Sequence, residues 1–324
     1  MFSFTKNRFK FYTVAIILSV ISLTAPFILK LNLGIDMTGG IQIEYNSDKP
    51  DTTGVQIAAK TFAEALKKEI LYNGKEIVND VTVYGILGTS SFIVEAGFSN
   101  PEWSHESDIE KLKTEFVSKL GEKLSTFQSA KLTQSRYVNI GESFGTYIKK
   151  SAYITLTLAI IAISLYIQYA FRWSIQGIAS WPFALVTGIS LIHDVLISFG
   201  LYVIASFFFP QFKIDTYLLT AMLTILGYSI NDTIVVMDRI RSTLHEAINK
   251  KLHFAEMIDK AIHDTMRRSI FTSLTIFIVV LAMFLFGPES LKGFTLALLF
   301  GTIVGAYSSI CIASPLLIDI TKKK

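Results

Sequence analysis

Two neighbouring ionisable residues, His193 and Asp194, lie in the middle of a long apolar run of the sequence. A charge inside the hydrocarbon of a membrane is costly, so such residues need a partner, a cavity or a function. Ser190 and Ser198 lie four residues to either side of Asp194, and a helix would place them on the same face as this carboxylate. We expect this polar face to point toward other protein segments and away from lipid.

A second carboxylate, Asp232, follows Asn231 in another apolar run. On a helix it would lie about 10 Å inside the basic residue Arg239, at about 1.5 Å per residue. Tyr228 precedes it by one turn. The spacing predicts a carboxylate, an amide and a phenol within the membrane.

At the start of the next apolar run, Arg268 shares a helical face with Thr272 and Thr275. This arrangement can present a cation and hydroxyls to a neighbouring helix. A guanidinium and the Asp232 carboxylate could therefore meet.

Two interpretations of these groups stay open. In the first, Asp232 and Arg268 form a structural ion pair, and Arg267 and Arg268 anchor the helix at the membrane boundary. In the second, the groups form a proton relay of Asp232, Arg268, Asp194 and His193, because one arginine cannot neutralise both carboxylates and burial favours proton binding by a carboxylate. His193 alone could also be a hydrogen-bonded packing residue.

A stripe of small residues, Gly301, Gly305 and Ser309, repeats every four positions in the last apolar run. Small residues at this spacing allow another helix to approach closely. The stripe predicts a helix-packing face, and the helices of this chain could form half of a larger, pseudo-symmetric bundle.

The overall composition is that of a membrane protein. Of 324 residues, 51% are hydrophobic and 17% charged, and the mean hydropathy is +0.47. These values exclude a disordered or collagen-like chain. The single cysteine, Cys311, excludes an intrachain disulfide framework and cysteine-based structural zinc sites.

Six apolar runs are long enough to cross a bilayer. They are Phe11 to Leu29, Ala152 to Phe171, about Trp181 to Phe209, Thr216 to Met237, Ile270 to Phe286 and Phe294 to Ile318. The first could be a signal peptide, but the sequence at its end offers no good cleavage site, so we predict an uncleaved span. The stretch from Trp173 to Trp181 could lie along the membrane interface.

The positions of Lys and Arg predict the orientation, because basic loops stay on the cytoplasmic side. Basic residues cluster before the first span, at Arg172, between Arg239 and Arg268, and at the end of the chain. Both termini are therefore expected in the cytoplasm, with the chain passing repeatedly through a membrane. Residues 253–262 predict an amphipathic cytoplasmic helix that could lie on the membrane surface.

Residues 31–140 have a different composition, with 15 Asp or Glu and 11 Lys or Arg. Alternating and helical apolar spacings predict the order βαββαβ, a ferredoxin-like arrangement with both helices on one face of a four-stranded sheet. His105 stands alone and is expected on the surface. We predict an α-helical polytopic membrane protein with three parts: residues 1–30 with span 1, an extracytoplasmic α+β domain at 31–140, and a membrane domain at 141–324.

Three longer motifs carry a family resemblance. They are Gly34-Ile35-Asp36-Met37-Thr38-Gly39-Gly40, the segment from Gly227 through Asn231-Asp232 to Arg241, and Arg268 with Thr272-Ser273-Leu274-Thr275, together with His193-Asp194. With these residues the chain resembles the SecF family, the smaller membrane subunits of the bacterial SecDF protein-translocation complex in the resistance-nodulation-division superfamily. The resemblance covers nearly the whole chain. Departures at Met37, Ser242 and Ile276 remove no ionisable membrane residue.

The resemblance implies a function in protein export that residue types alone do not. It implies pairing with SecD, association with the SecYEG channel and with YajC, and use of the proton-motive force to promote translocation and release of preproteins on the outer face. By motif position, Asp232 and Arg268 match the family's proton-pathway residues. Protons would be the coupling ion, with no other cofactor, no metal, no nucleic acid and no enzymatic activity.

The same residues suggest a mechanism. Protonation of Asp232 would weaken its attraction to Arg268 and tilt the exposed domain through a hinge at Gly34, Asp36, Gly39 and Gly40, although the two glycines could equally form a simple turn. Tyr228, Asn231, Thr272 and Thr275 would support the relay.

Two other functions are weighed against this one. A proton-coupled exporter of small molecules or lipids would need a larger exposed region and a second six-span half in the same chain. An intramembrane aspartyl protease using Asp194 and Asp232 would carry a Gly-x-Gly-Asp pattern, which this sequence lacks.

Overall fold

The computed structural model describes residues 2–49, 51–86, 89–98, 106–126, 131–172, 179–209, 211–246 and 253–321. Within these ranges, six helices are long and apolar enough to cross a membrane. This confirms the six predicted spans. His105 and most of the stretch from Trp173 to Trp181, for which we made predictions, lie outside the described residues.

Except for the third span, the membrane helices run longer than the apolar runs that predict them. They are α1 (Arg8–Ile28), α5 (Glu142–Ala170), α6 (Trp181–Phe208), α7 (Thr216–Glu246) and α8 (Phe254–Phe286). The sixth span consists of α9 (Lys292–Ser308), a π-helical segment (Ser309–Ala313) and α10 (Ser314–Thr321), preceded by a 3₁₀ turn (Glu289–Leu291). A short helix, α2 (Ile35–Thr38), follows α1.

The amphipathic stretch at 253–262 is part of a membrane helix, not a separate one. It forms the first turns of α8, because no Gly or Pro breaks the chain between it and the apolar run. Its apolar residues Phe254, Ile258 and Ile262 are buried in a core shared with α7 and α10. The prediction of a separate helix is therefore wrong.

A four-stranded antiparallel sheet lies between α1 and α5 in the sequence. Its strands are β1 (Gly40–Ser47), β4 (Val78–Gly85), β5 (Ser91–Phe98) and β6 (Leu132–Ile140), in the spatial order β4-β5-β1-β6. The helices α3 (Thr53–Glu69) and α4 (Glu106–Thr126) complete the predicted βαββαβ order. A small hairpin of β2 (Leu71–Tyr72) and β3 (Lys75–Glu76), turned through Asn73 and Gly74 at positive φ, was not predicted.

The core of this sheet domain follows the alternation of the strands. Ile41 and Ile43 of β1 and Phe92 and Val94 of β5 are fully buried, as is Phe116 of α4. Fully burying a side chain of this size contributes about 1.5–3 kcal/mol. Alternating strand residues and one helix face therefore make a separate hydrophobic core outside the membrane helices.

Both ends of the described chain are tied to the same side of the helix bundle. The Asp259 carboxylate on α8 accepts hydrogen bonds from the Ser3 hydroxyl (2.5 Å) and from the Thr5 backbone N–H (3.0 Å). Arg8 Nε lies 3.1 Å from the carboxylate of Asp319 on α10, and the Tyr12 hydroxyl donates to the same group at 2.9 Å. We call these contacts the terminal clasp.

The loop between α6 and α7 packs against the connection from α1 to α2. The Gly34 N–H donates to the Ile214 carbonyl at 2.8 Å, and the Ile214 N–H donates to the Asn32 carbonyl at 2.8 Å. Leu33 and Ile214 form an isolated parallel β-bridge. This loop therefore lies where the sheet domain meets the membrane helices.

Candidate functional site

Asp194 on α6 is completely buried among polar side chains. Its Oδ1 lies 2.8 Å from His193 Nδ1, and its Oδ2 accepts hydrogen bonds from the hydroxyls of Ser308 (2.7 Å) and Ser229. Tyr307 approaches the other ring nitrogen of His193, with 3.1 Å between its hydroxyl and Nε2. Three spans therefore meet at this carboxylate.

The other predicted serines are placed differently. Ser190 shares the face of Asp194 and donates a long hydrogen bond of 3.4 Å to the Ser308 hydroxyl. Ser198 is buried on the same helix, and among the described residues its hydroxyl has no partner.

Asp232 on α7 is 5% exposed, and the Ser309 hydroxyl donates a hydrogen bond to its Oδ2. Ion pairs to Lys or Arg are absent at both Asp232 and Asp194 within the described ranges. The buried carboxylates are therefore held by hydroxyls and one imidazole. A hydroxyl can donate to a carboxylate and accept from a carboxylic acid, so these contacts fit either protonation state.

Three consecutive residues of the sixth span reach the whole polar centre. Tyr307 contacts His193, Ser308 contacts Asp194 and Ser309 contacts Asp232. The π-helical segment begins at Ser309, and the Ser314 hydroxyl donates at 2.7 Å to the Ser309 carbonyl. Such segments are frequent at functional sites because they change which way the helix directs its side chains. One turn of this span thus connects the two carboxylates.

Arg268 does not meet Asp232 in this structure. It is exposed on α8, and in the described part of the chain no ion pair joins the two residues. The expected contact is wrong because α8 turns Ser269 and Ser273 inward and leaves Arg268 on the outer surface. Arg268 is therefore available to a surface outside this chain.

The remaining supporting residues divide between the inside and the outside of the bundle. The Tyr228 hydroxyl donates at 2.5 Å to Ser273 of α8. Asn231 and Thr275 are exposed, and Thr272 is half-buried. The Thr275 hydroxyl returns to the carbonyls of its own helix, the nearer of which is that of Thr272, at 2.8 Å.

The small-residue stripe of the sixth span lies against α7. A side chain at Gly301 would collide with Ile225, and one at Gly305 would touch Ser229 at 3.4 Å. Ser309 continues the stripe but provides a hydrogen-bond donor to Asp232. Close packing of these two helices brings the Ser309 hydroxyl within reach of the carboxylate.

The glycine motif after α1 forms an ordered turn into the sheet. Gly39 ends α2 at φ 80°, and Gly40 begins β1, paired on both sides with Gly97 and Ile140. A side chain at Gly40 would collide with the carbonyl of Ala96. Gly34 precedes α2 as its N-terminal boundary residue.

Asp36 belongs to the junction between the two parts of the molecule. Its Oδ2 accepts a hydrogen bond from the hydroxyl of Thr216, the first residue of α7, at 2.8 Å. The α2 turn is thereby attached to the helix that carries Asp232. In the described residues, no group of three or more His, Cys, Asp or Glu side chains could hold a metal ion.

Sequence reasoning missed the contribution of the sixth span. Tyr307 and Ser308 were not among the predicted site residues, because single hydroxyls are common in membrane helices and can bond to their own backbone. Two adjacent serines beside a tyrosine in the same apolar run were the available hint.

Comparison with known proteins identifies similar chains. The family model described as protein export membrane protein SecD/SecF, C-terminal, matches residues 119–323, and that of the SecD/SecF GG motif matches residues 24–51. The protein translocase subunit SecF of Rhodothermus marinus is 31% identical over 321 residues, which are 98% of this chain and 93% of that protein. The protein of the same name from Helicobacter pylori is 32% identical over 305 residues, 93% of this chain and 81% of that protein.

Among solved structures, the crystal structure of SecDF from Thermus thermophilus, described as a translocon-associated membrane protein, is similar with a TM-score of 0.71 and 26% sequence identity. The match covers 99% of this chain and 39% of that one, so this chain spans well under half of its length. A second structure of SecDF, in a super-membrane-facing form, gives a TM-score of 0.66 at 25% identity.

Proposed function

The chain belongs to the SecD/SecF family of protein export membrane proteins, and from that premise we propose that it works with SecD to promote preprotein translocation and release on the outer face of the membrane, driven by the proton-motive force. Protons are the coupling ion in this proposal, and the protein acts as an accessory subunit without enzymatic activity of its own. The SecYEG channel and YajC are further partners, supported by the family resemblance.

The observation that carries the proposal is the pair of buried carboxylates connected through one turn of the sixth span. Asp194 and Asp232 lie on neighbouring helices and accept hydrogen bonds from the adjacent hydroxyls of Ser308 and Ser309. When Asp232 takes up a proton, Ser309 no longer needs to donate to it and can accept instead. The packing of the sixth span against α7 can then change with each proton bound and released.

A polar surface on the outside of the bundle supports assembly with a second membrane subunit. Asn231 is exposed on α7 and Arg268 on α8, and α8 also exposes apolar side chains such as Phe271. A charged side chain facing hydrocarbon costs about 2.5–3.5 kcal/mol on insertion scales. A partner that supplies polar and acidic groups would remove this cost, and in our proposal SecD covers this surface.

In the proposed orientation both ends of the chain lie in the cytoplasm and the sheet domain lies outside the bacterial cytoplasmic membrane. The terminal clasp joins both ends at one side of the bundle. Among the described basic residues, Arg8 and Arg239 pair with Asp319 of α10 and Asp264 of α8 near this clasp, in agreement with the preference of basic residues for the cytoplasmic side. The sheet domain is then placed where an emerging chain appears.

The test of proton coupling is gradient-dependent preprotein translocation into vesicles that contain this chain and its cognate SecD. Asp232→Asn preserves the size of the side chain and removes its titration. We expect the gradient-dependent stimulation to disappear while the complex still assembles. Asp238→Asn is the matched control, because Asp238 lies on the same helix but is exposed and paired with Arg241. Unchanged stimulation in Asp232→Asn would refute the role of this carboxylate.

The test of the SecD surface is disulfide crosslinking in the membrane, in a Cys311→Ser background. A cysteine at Asn231 should crosslink to cysteines placed along the membrane helices of SecD. A cysteine at Phe27, which is 86% exposed on α1, should not. Crosslinking at Phe27 and not at Asn231 would move the interface to another face.

A further inference from the structure

One lysine of the α6–α7 loop connects the sheet domain to the membrane helices. Lys213 is only 7% exposed, and its Nζ lies 2.9 Å from Asp80 Oδ2 and 3.8 Å from Glu95 Oε2. Asp80 lies on β4 and Glu95 on the neighbouring strand β5. The lysine therefore bridges two strands of the sheet from below.

The backbone of this loop is hydrogen-bonded to α6 and to the connection between α1 and α2. The carbonyl of Lys213 accepts a hydrogen bond from the Tyr202 hydroxyl of α6 at 2.8 Å. The next residue, Ile214, exchanges backbone hydrogen bonds with Asn32 and Gly34 at 2.8 Å each. The loop is thus anchored to α6 and to the α1–α2 connection, and the Lys213 side chain extends from it to the sheet.

The carboxylates that receive Lys213 are in different surroundings. Asp80 is half exposed, and Lys213 helps to hold its pKa below the usual range against the effect of burial. Glu95 is more buried, and burial raises its pKa, although Lys213 and the hydroxyl of Tyr84, 2.7 Å from Oε1, oppose that rise. The negative charge of Asp36 on α2 adds to the rise.

Such a pairing is suited to release. Lys213 and Glu95 are largely buried, and for such charges the cost of desolvation offsets much of the attraction, while the half-exposed Asp80 keeps part of its water. Removing one charge is unfavourable, because it leaves the other charge buried and unpaired. Moving both charges into water restores their hydration and has no such cost. A small displacement of the loop can therefore open the contact.

We propose that Lys213 is a releasable latch that holds the sheet domain against the loop between α6 and α7. These two helices carry Asp194 and Asp232, so a shift of either helix reaches the sheet domain through this ion pair. When the latch opens, the domain turns about its two connections, at Gly39 after α2 and at Gly141 before α5. This inference deepens the proposed function and rests on it only in assigning the domain movement to protein export.

The test is a distance measurement by pulsed electron paramagnetic resonance on the full complex with SecD in vesicles. Spin labels are placed at Lys68 on α3 and Phe27 on α1, both exposed, in a Cys311→Ser background. With Lys213→Met, we expect the distance distribution to broaden and shift relative to the wild type. An unchanged distribution would overturn the latch.

Further variants separate the latch from general damage. Lys213→Arg retains the charge and should restore the wild-type distribution. Lys292→Met is the matched control, because Lys292 is the first residue of α9 and in the described structure pairs only with Glu289 of the preceding 3₁₀ turn. If Lys213→Met does not assemble, Asp80→Asn leaves the lysine with Glu95 and should give a smaller broadening. A wild-type distribution in Asp80→Asn would then overturn the latch.

Translocation measured on the same vesicles distinguishes the latch from the proposed function. A released domain with altered translocation supports both. A released domain with normal translocation supports the latch and removes domain movement from the export mechanism. An unreleased domain in Lys213→Met overturns the latch, whatever the translocation rate.

Discussion

Replacing Asp215 by Asn should change how the stability of the domain junction depends on pH. Asp215 precedes α7 and caps it, with Oδ1 accepting the Leu218 N–H at 2.9 Å. Burial raises the pKa of Asp215 to about 7, and the nearby negative charges of Asp36 and Glu95 act in the same direction. Two backbone hydrogen bonds oppose the rise without cancelling it.

The sign and size of the effect follow from proton uptake on folding. An unfolded aspartate has a pKa of about 3.9, so between about pH 4 and pH 7 it is ionised while folded Asp215 is largely protonated. Stability therefore falls as pH rises through this range. The full shift corresponds to at most about 4 kcal/mol. Partial access of water to the side chain reduces the expected effect to about 1–2 kcal/mol.

The assay is thermal unfolding of the purified complex in detergent from pH 5 to pH 8.5, with hydrogen exchange of the α7 start as a local measure. Asparagine retains the cap and removes the titration. The advantage of Asp215→Asn over the wild type should grow from pH 5 to about pH 7 and stay constant from there to pH 8.5. Glu95 also titrates in this junction beside Lys213, Tyr84 and Asp80, so some pH dependence remains in the variant. Parallel curves for variant and wild type across the range would refute the reasoning.

Two further changes test the packing and the polar centre. Gly200→Val should destabilise the protein by about 1–3 kcal/mol and lower the midpoint of thermal unfolding, because any side chain there collides with Ser22 of α1. Gly121→Ala on α4 is the control. Its added carbon meets nothing within 4 Å, so the midpoint should stay unchanged or rise slightly. Ser309→Ala removes a hydrogen bond to a buried charged group, worth about 1.5–3 kcal/mol, and should reduce gradient-dependent translocation. Ser309→Thr keeps the hydroxyl and should retain translocation. Equal activity of the two variants would show that the hydroxyl is dispensable.

The sequence predicted the fold because each element carries a regular apolar pattern. Alternation in Ile41 and Ile43 identified a strand, and long apolar runs identified the spans. The predictions failed where the same residue spacing fits two different structures. Residues 253–262 look amphipathic both as a surface helix and as an extension of α8, and only the packing of Ile258 and Ile262 decides between them.

The candidate site could be predicted only in part for a related reason. The cost of burying charge identified Asp194 and Asp232, but helical spacing does not say which neighbour each face meets. Arg268 was therefore expected to meet Asp232. In the structure α8 leaves Arg268 exposed, and Ser309 of the sixth span donates the hydrogen bond to Asp232. Lys213, in a loop, gave no pattern, because its partners come from strands more than 100 residues earlier in the chain.

The terminal clasp sets a schedule for assembly during synthesis. Arg8 and Asp319 are separated by 311 positions, so α1 enters the membrane long before its last partner exists. At roughly 5–20 residues per second, this delay is roughly 15–60 s. Throughout that interval the first helix remains without its attachment to α10. The contact between α1 and α10 can therefore form only after α10 has been synthesised, so the synthesis of α10 limits how early α1 reaches its final packing.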